Sequence, residues 1–440
     1  MTELRRLLHK ALILPHLLSH LKAGQSCHLV GGALRDFLLD RPITDFDFVT
    51  KFDPTNLARS FASTIGGTWF SLDTQRQQSR VIVKKEGFSY SYDFAPLRDS
   101  TLELDLSLRD FTVNAIAVDL AGALSLTDLF DPLGGRLDLK NSLLRACGRE
   151  VFEDDPLRIL RGVRLARVLR LELEPQTLHQ MRASSSGLNR SAPERISNEL
   201  ALILAADDGS LSLPLMEDLG LFPILFGETV RPAVIADGIR HVQELSQRFS
   251  LLEKKGWSLH DEPVIGGFDS IAILRLGAFL AGSGLLNNQP GLLKKLRLSR
   301  RLESVLKNLA SLHSGHIKEL EILQTSARGR ALWVEQLGQC PMLGLFYLAS
   351  LKEASATFLD KVRVAMADYH QHVHNGRVPD LLNGSYLRSH LGITEGILVG
   401  QVLDTLRREE MEGRVCTIQE ALKYIESFSE KIIDKPGDPS

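Results

Sequence analysis

At 440 residues the chain is too long for one ordinary core, so two to four domains or subdomains are expected. Its 44% hydrophobic and 24% charged residues match a soluble globular protein, and no apolar run is long enough to cross a bilayer. A net charge of −2 neither announces nor excludes a nucleic-acid partner, because a local basic surface can be balanced by acids elsewhere.

In chain order, residues 4–21 carry Arg5, Arg6, Lys10 and three histidines and lack a small-residue cleavage site. They read as an amphipathic helix rather than an export signal, which sets residues 1–25 apart as an N-terminal helix. Four scattered cysteines, Cys27, Cys147, Cys340 and Cys416, have no metal-type spacing and read as reduced thiols of a cytoplasmic protein. Over residues 26–145, β-type runs at 27–30, 45–49, 67–72, 80–84, 88–94 and 115–119 alternate with turns. Helical patterns at 33–39 and 54–63 lie between them. This predicts a small α/β head. After Pro156, leucines recur at three- and four-residue intervals almost throughout. The fold class is therefore α+β, with an all-helical neck (146–210), body (211–350) and tail (351–440) after the head, in an elongated molecule.

The chemistry begins at residues 30–49, VGGALRDFLLDRPITDFDFV. Gly31 and Gly32 have no side chains to block a polyphosphate, and the amides of the following helix can receive an anion, although most glycine pairs simply serve turns. Asp45 and Asp47 are two apart in a β-type run, so strand geometry puts both carboxylates on one face and Phe46 and Phe48 on the other. Paired carboxylates repel each other unless a cation lies between them, and hard oxygen ligands suit Mg²⁺ held partly by substrate phosphates. The same pair could equally be a solvent-facing strand end. Asp93, between Tyr92 and Phe94 in a second alternating run, adds a third carboxylate. Three on neighbouring strands could hold two Mg²⁺ ions, one activating a hydroxyl and the other neutralising pyrophosphate.

The pattern GG-x-x-R-D-x-L-L-x-R-x-x-x-D-x-D resembles the first motif of the class II tRNA nucleotidyltransferases and bacterial poly(A) polymerases. Four further segments resemble the other motifs of that family, in the family's order. Residues 109–115 (RDFTVNA) are similar to its ribose and triphosphate motif, and 131–135 (DPLGG) with Asp138 and Leu139 to a motif linked to movement between head and neck. Residues 154–161 (DDPLRILR) are similar to its nucleotide-selecting motif, and Glu194-Arg195-Ile196 with Glu199 to its neck-stabilising motif. Together they span residues 28–200. Two positions depart from the family pattern: Leu108 fills the place of a first arginine, and Asp154 stands where a glutamate is usual.

The resemblance implies attack of an RNA 3′ hydroxyl on the α-phosphorus of CTP or ATP, most directly at the CCA end of tRNA, with release of pyrophosphate. It places the catalytic carboxylates at Asp45, Asp47 and Asp93, with Asp45 and Asp47 holding Mg²⁺. Gly31, Gly32 and Arg35 would meet the triphosphate, and Arg109, Asp110 and Asn114 the ribose and phosphates. Asp155 and Arg158 would choose the base, with Arg161 also binding nucleotide. The physical reading of the selecting pair stands alone. Three apart on one helical face after Pro156, an acceptor-only and a donor-only side chain can mimic a base edge for cytosine or adenine, which uracil and guanine mismatch. The alternative is an intrahelical ion pair followed by a solvated face of Arg161, Arg164 and Arg167.

Lys294, Lys295, Arg297, Arg300 and Arg301 form a basic cluster that could contact RNA phosphates or simply face solvent. Within the enzyme reading, addition of CCA, of CC alone, of the terminal A, or of poly(A) all remain open. A catalytically decayed RNA-binding protein would have no reason to keep the Asp45/Asp47 pair, and a small-molecule nucleotidyltransferase would not need so long a helical body. Resembling family members that add full CCA carry a flexible loop before the ribose motif, whereas here 98–103 (RDSTLE) runs straight into 104–109. The resemblance to shortened family members implies an enzyme that stops after two C residues, with an A-adding enzyme as the rival for the same shortened form.

Overall fold

Alternation of Phe46 and Phe48 with Asp45 and Asp47 makes strand β2 (Asp45–Thr50) one-sided, and the sheet is built around it. The computed structural model describes residues 3–433 except 15, 123, 208, 228–229, 260–262, 289–291, 313–325, 352–353, 375–376 and 392–395. With β1 (Cys27–Val30), β3 (Thr68–Asp73), β4 (Gln78–Lys85), β5 (Phe88–Pro96) and β6 (Ala117–Asp119), a six-stranded sheet forms in the order β3-β4-β5-β2-β1-β6. Strands β2 and β5 are parallel and the other neighbours antiparallel. All six lie within two residues of the predicted runs.

One face of this sheet is aromatic. Phe46 stacks on Tyr92 at 5.7 Å and Phe48 on Phe94 at 5.0 Å. Helix α3 (Thr55–Ile65) lays Phe61 edge-on against Tyr92 and Phe94, at 5.2 and 5.9 Å. All five rings are buried. At about 1.5–3 kcal/mol per large side chain, this layer fixes the register that turns the aspartates to the opposite face.

The buried Tyr92 hydroxyl donates to the Ala11 carbonyl at 2.6 Å, closing the aromatic face with the N-terminal segment. That segment is not the single helix predicted over 4–21: α1 covers Glu3–Lys10, and the chain then bends at Leu12 with φ 61°. The bend buries Leu8, Ala11, Ile13, Leu14 and Leu17 together, more positions than one helical stripe can face inward, and Pro15 would remove a donor from a continuous helix.

After β1, α2 (Gly32–Leu38) returns beside β2. Helix α4 (Leu102–Ser107), capped by the Thr101 side chain, links β5 to residues 109–115, and α5 (Gly135–Lys140) follows β6. Beyond them come β7 (Leu143–Leu144), α6 (Val151–Asp154), α7 (Leu157–Val168), β8 (Glu172–Leu173), α8 (Pro175–Ala183) and α9 (Pro193–Ala205). Strands β7 and β8 pair in parallel, so the stretch predicted as purely helical contains a strand. Two residues are too few to leave a readable alternation.

The chain divides into two compact units, residues 1–199 with 218–224, and residues 200–217 with 225–440. The second is helical, with long elements at Pro232–Glu253, Ser270–Ser283, Arg300–Ser311, Ala356–His372 and Gly396–Met411. Within it the buried Arg275 donates to the carbonyls of Leu204 at 2.6 Å and Asp207 at 3.1 Å, satisfying the end of α9. Among the described residues, no helix is long and apolar enough to cross a membrane.

Candidate active site

The polar face of the sheet carries a row of charges across three strands. Register sets Asp47 opposite Asp93 between β2 and β5, and Arg80 opposite Asp93 between β4 and β5. Asp45 and Asp47 point away from the aromatic layer as predicted. Asp93 faces the same way, but both its oxygens are taken: the Arg80 Nε and Nη2 donate to Oδ1 and Oδ2, each at 2.6 Å. Enclosure lifts the Asp45 carboxyl above its ordinary value, and Asp93 adds to the lift. Enclosure lifts Asp47 too, with Arg109 opposing and Asp93 reinforcing the rise. Among the described residues, no group of three or more His, Cys, Asp or Glu side chains is arranged to hold a metal by itself. The row is therefore a carboxylate pair with a third carboxylate held by arginine.

At the turn from β1 into α2, Gly31 has φ 81°, and a Cβ there would lie 3.2 Å from both the Asp47 Oδ2 and the Arg109 Nη1. Only glycine lets the backbone come this close to the carboxylate. Gly32 opens α2. Arg35 does not line the cleft: its Nη1 donates to the Asn114 Oδ1 at 2.6 Å and its Nη2 to Asp36 at 2.7 Å. Asn114 in turn donates to the Asp110 Oδ1 at 3.0 Å, and the Arg161 Nε lies 2.9 Å from the Asp110 Oδ2. Burial alone would raise the Asp110 carboxyl. Arg161, with hydrogen bonds from Asn114 and the Phe111 amide, outweighs burial and holds it below the usual range. Arg109 donates from Nη2 to Asp105 at 3.1 Å, and the fully buried Asp105 also accepts the Arg98 amide at 2.9 Å. The Arg109 Nε is buried and has no hydrogen-bond partner.

Asp155 and Arg158, expected to select the nucleotide, are arranged differently from the prediction. Asp155 precedes α7 in extended conformation (φ −141°, ψ 94°), because the residue before Pro156 is driven out of the helical region. It thus shares no helical face with Arg158. Asp155 accepts Arg195 Nη2 at 2.9 Å, and Arg158 donates to the carbonyls of Leu108 at 3.0 Å and Val151 at 3.2 Å. Arg164 pairs with Glu199 at 2.8 Å.

A cleft of about 380 Å³ gathers Gly31, Asp47, Arg109, Asp110, Asp155 and Arg158 on its walls, and Gly32, Asp93, Asn114 and Arg161 line it too. Asp45 lies outside this lining. Sequence reasoning missed Arg80, Asp105 and the partner role of Arg195. The i, i+4 spacing of Asp105 and Arg109 was the one readable signal. The basic cluster lies in the other compact unit. Lys294 and Lys295 sit in the turn Leu292–Leu296, and Arg300 and Arg301 open the next helix; with Arg297 all are exposed.

A mixed sheet carrying paired carboxylates beside a glycine turn, with arginines closing a nucleotide-sized cleft, defines a nucleotidyltransferase head. Comparison with known proteins agrees. Residues 27–145 match the family described as "Poly A polymerase head domain", and residues 170–231 the one described as "Probable RNA and SrmB- binding site of polymerase A". The CC-adding tRNA nucleotidyltransferase of Geobacter sulfurreducens is 33% identical over 94% of this chain and 94% of its own. The A-adding tRNA nucleotidyltransferase of Deinococcus radiodurans is 31% identical over 92% of this chain and 95% of its own. In fold, the chain matches a CCA-adding enzyme in complex with ATP with a TM-score of 0.68 at 23% identity, over 97% of this chain and 96% of that one. The protein belongs to the tRNA nucleotidyltransferase and poly(A) polymerase family.

Proposed function

We propose that the protein adds cytidine nucleotides from CTP to the 3′ end of tRNA and stops after two, without a nucleic-acid template. The RNA 3′ hydroxyl attacks the α-phosphorus of CTP, and pyrophosphate leaves. Asp45 and Asp47 fit a divalent cation: two neighbouring carboxylates on the open face of β2, both lifted above their ordinary values, are the donor set that Mg²⁺ takes together with substrate phosphates. One such ion, or two with Asp93, would lower the pKa of the hydroxyl and neutralise the leaving pyrophosphate. The remaining work belongs to the chain's own side chains. Gly31 leaves room for the phosphates, and Arg109 and half-exposed Arg161 supply charge to them; Asp105 holds Arg109, Asp110 holds Arg161, and Asp110 with its partner Asn114 meets the ribose. Arg35 acts through Asn114. Asp155 accepts from the exocyclic amine of cytosine and Arg158 donates to its ring nitrogen, a pattern that uracil and guanine reverse.

The observation that carries the stop after CC is the link between β5 and Arg109. A mobile lever that could reshape the pocket for ATP has no room there. The link is the short capped helix α4, fastened at its centre by the buried Asp105 to both the Arg98 amide and the Arg109 guanidinium. The 33% identity to a CC-adding relative supports this reading. The 31% identity to an A-adding relative makes terminal A addition the second reading. The test supplies CTP and ATP together to tRNA lacking all three terminal residues. Product ending at CC is expected; CCA formed by the purified protein alone overturns the proposal, and extension only of tRNA already ending in CC establishes the second reading.

A further inference from the structure

We infer that Arg80 is a built-in counter-cation for the catalytic carboxylates, positioning Asp93 and setting how tightly the cleft holds a divalent ion before the nucleotide arrives. The inference rests on the reading of Asp45 and Asp47 as a cation site. It starts from register: Arg80, Asp93 and Asp47 are direct neighbours across β4, β5 and β2, so the guanidinium lies at the end of the carboxylate row. The contact is bidentate, with both distances 2.6 Å, and so occupies both oxygens that Asp93 would offer a metal.

Neither partner is sealed away. The side chains of Arg80 and Asp93 remain 38% and 28% exposed, so the pair can open without breaking the core beneath it. A fixed monovalent cation at this place does two things. It lowers the negative charge of the row, which weakens attraction for a free divalent ion, and it keeps Asp93 aligned with Asp47. The Arg80 guanidinium is itself held more firmly in its charged form by Asp93, with Asp45 and Asp47 contributing. With the third carboxylate so engaged, a divalent ion finds only Asp45 and Asp47 in the free protein, and the phosphates of an incoming nucleotide complete its shell. Cation and nucleotide would then bind as one complex, and empty clefts would not be filled by ions alone.

The test titrates Mn²⁺ into the full-length protein without nucleotide and follows free Mn²⁺ by electron paramagnetic resonance. Wild type, Arg80→Gln and Arg80→Lys are compared, and thermal melting of each variant confirms folding. Arg80→Gln should bind Mn²⁺ about tenfold more tightly, since a positive charge has left the row. Arg80→Lys, which keeps charge but not the fork, should stay within about threefold of wild type. With CTP present, the difference between wild type and Arg80→Gln should shrink. Unchanged or weaker Mn²⁺ binding by folded Arg80→Gln overturns the inference and leaves the pair a structural cross-strand contact. Absence of Mn²⁺ binding by all three proteins, with CTP as without it, overturns the cation-site reading itself.

Discussion

Asp47 faces a second carboxylate on its own strand and a third on the next, with Gly31 close enough that any side chain there would touch it. Replacing Asp47 or Asp45 by asparagine keeps the shape and the aromatic layer beneath while removing the charge that calls for a cation. Nucleotide addition should fall by at least about a thousandfold, about 4 kcal/mol, with melting temperature and tRNA binding near wild type. Normal turnover at ordinary Mg²⁺ would remove these residues from the mechanism. For Asp155→Ala and Arg158→Ala, single-turnover rates with CTP against UTP should show a loss of discrimination of about 1–3 kcal/mol. Unchanged selectivity would place base choice elsewhere. The shared face of Asp45 and Asp47 was legible because strand alternation is a local rule. Arg80 was not, since its importance comes from cross-strand register, and nothing near Arg80 in the chain points to Asp93. The i, i+3 spacing of Asp155 and Arg158 suggests a shared helical face, but Pro156 restricts its predecessor to extended backbone and so takes Asp155 out of the helix.

At the scale of elements, close approach carries as much information as charge. Gly135 opens α5 against residues 112–114, where a Cβ would lie 2.1 Å from the Thr112 carbonyl oxygen. Beside it the buried Asp138 accepts the Thr112 hydroxyl at 2.6 Å and Arg145 Nη2 at 3.1 Å. Gly135→Ala must therefore push α5 away from residues 112–114, which include the Asn114 that links Arg35 to Asp110. We expect a loss of about 1–3 kcal/mol in stability by urea unfolding and a larger relative loss in kcat than in tRNA affinity. A variant as active and stable as wild type would mean that α5 moves freely. Strands β2, β4 and β5 were legible because apolar and polar residues alternate along them, and β1, β3 and β6 as short apolar runs between turns. The early end of α1 and the two-residue strand β8 were not, since the first is decided by tertiary burial and the second is shorter than any period.

For the whole molecule, the head-then-helices order followed from one change in leucine spacing, but the division into two compact units does not coincide with any break in pattern. Residues 218–224 return to the first unit, an exchange set by packing rather than composition. The basic cluster is where a part for the second unit in function can be tested. Lys294, Lys295, Arg300 and Arg301 are exposed on a turn and the helix that follows it. Exposed cations so concentrated cost little when replaced if they merely face solvent. If they meet RNA phosphates, each lost contact lowers the slope of log affinity against log salt by about 0.7–0.9. The quadruple alanine variant separates the two cases. We expect weaker tRNA binding at low salt, a shallower salt slope, a raised KM for full-length tRNA and an unchanged kcat at saturation, because the carboxylate cleft lies wholly in the first unit. A binding curve that keeps the wild-type slope would assign these residues to an ordinary solvated face, leaving RNA contact to be sought elsewhere.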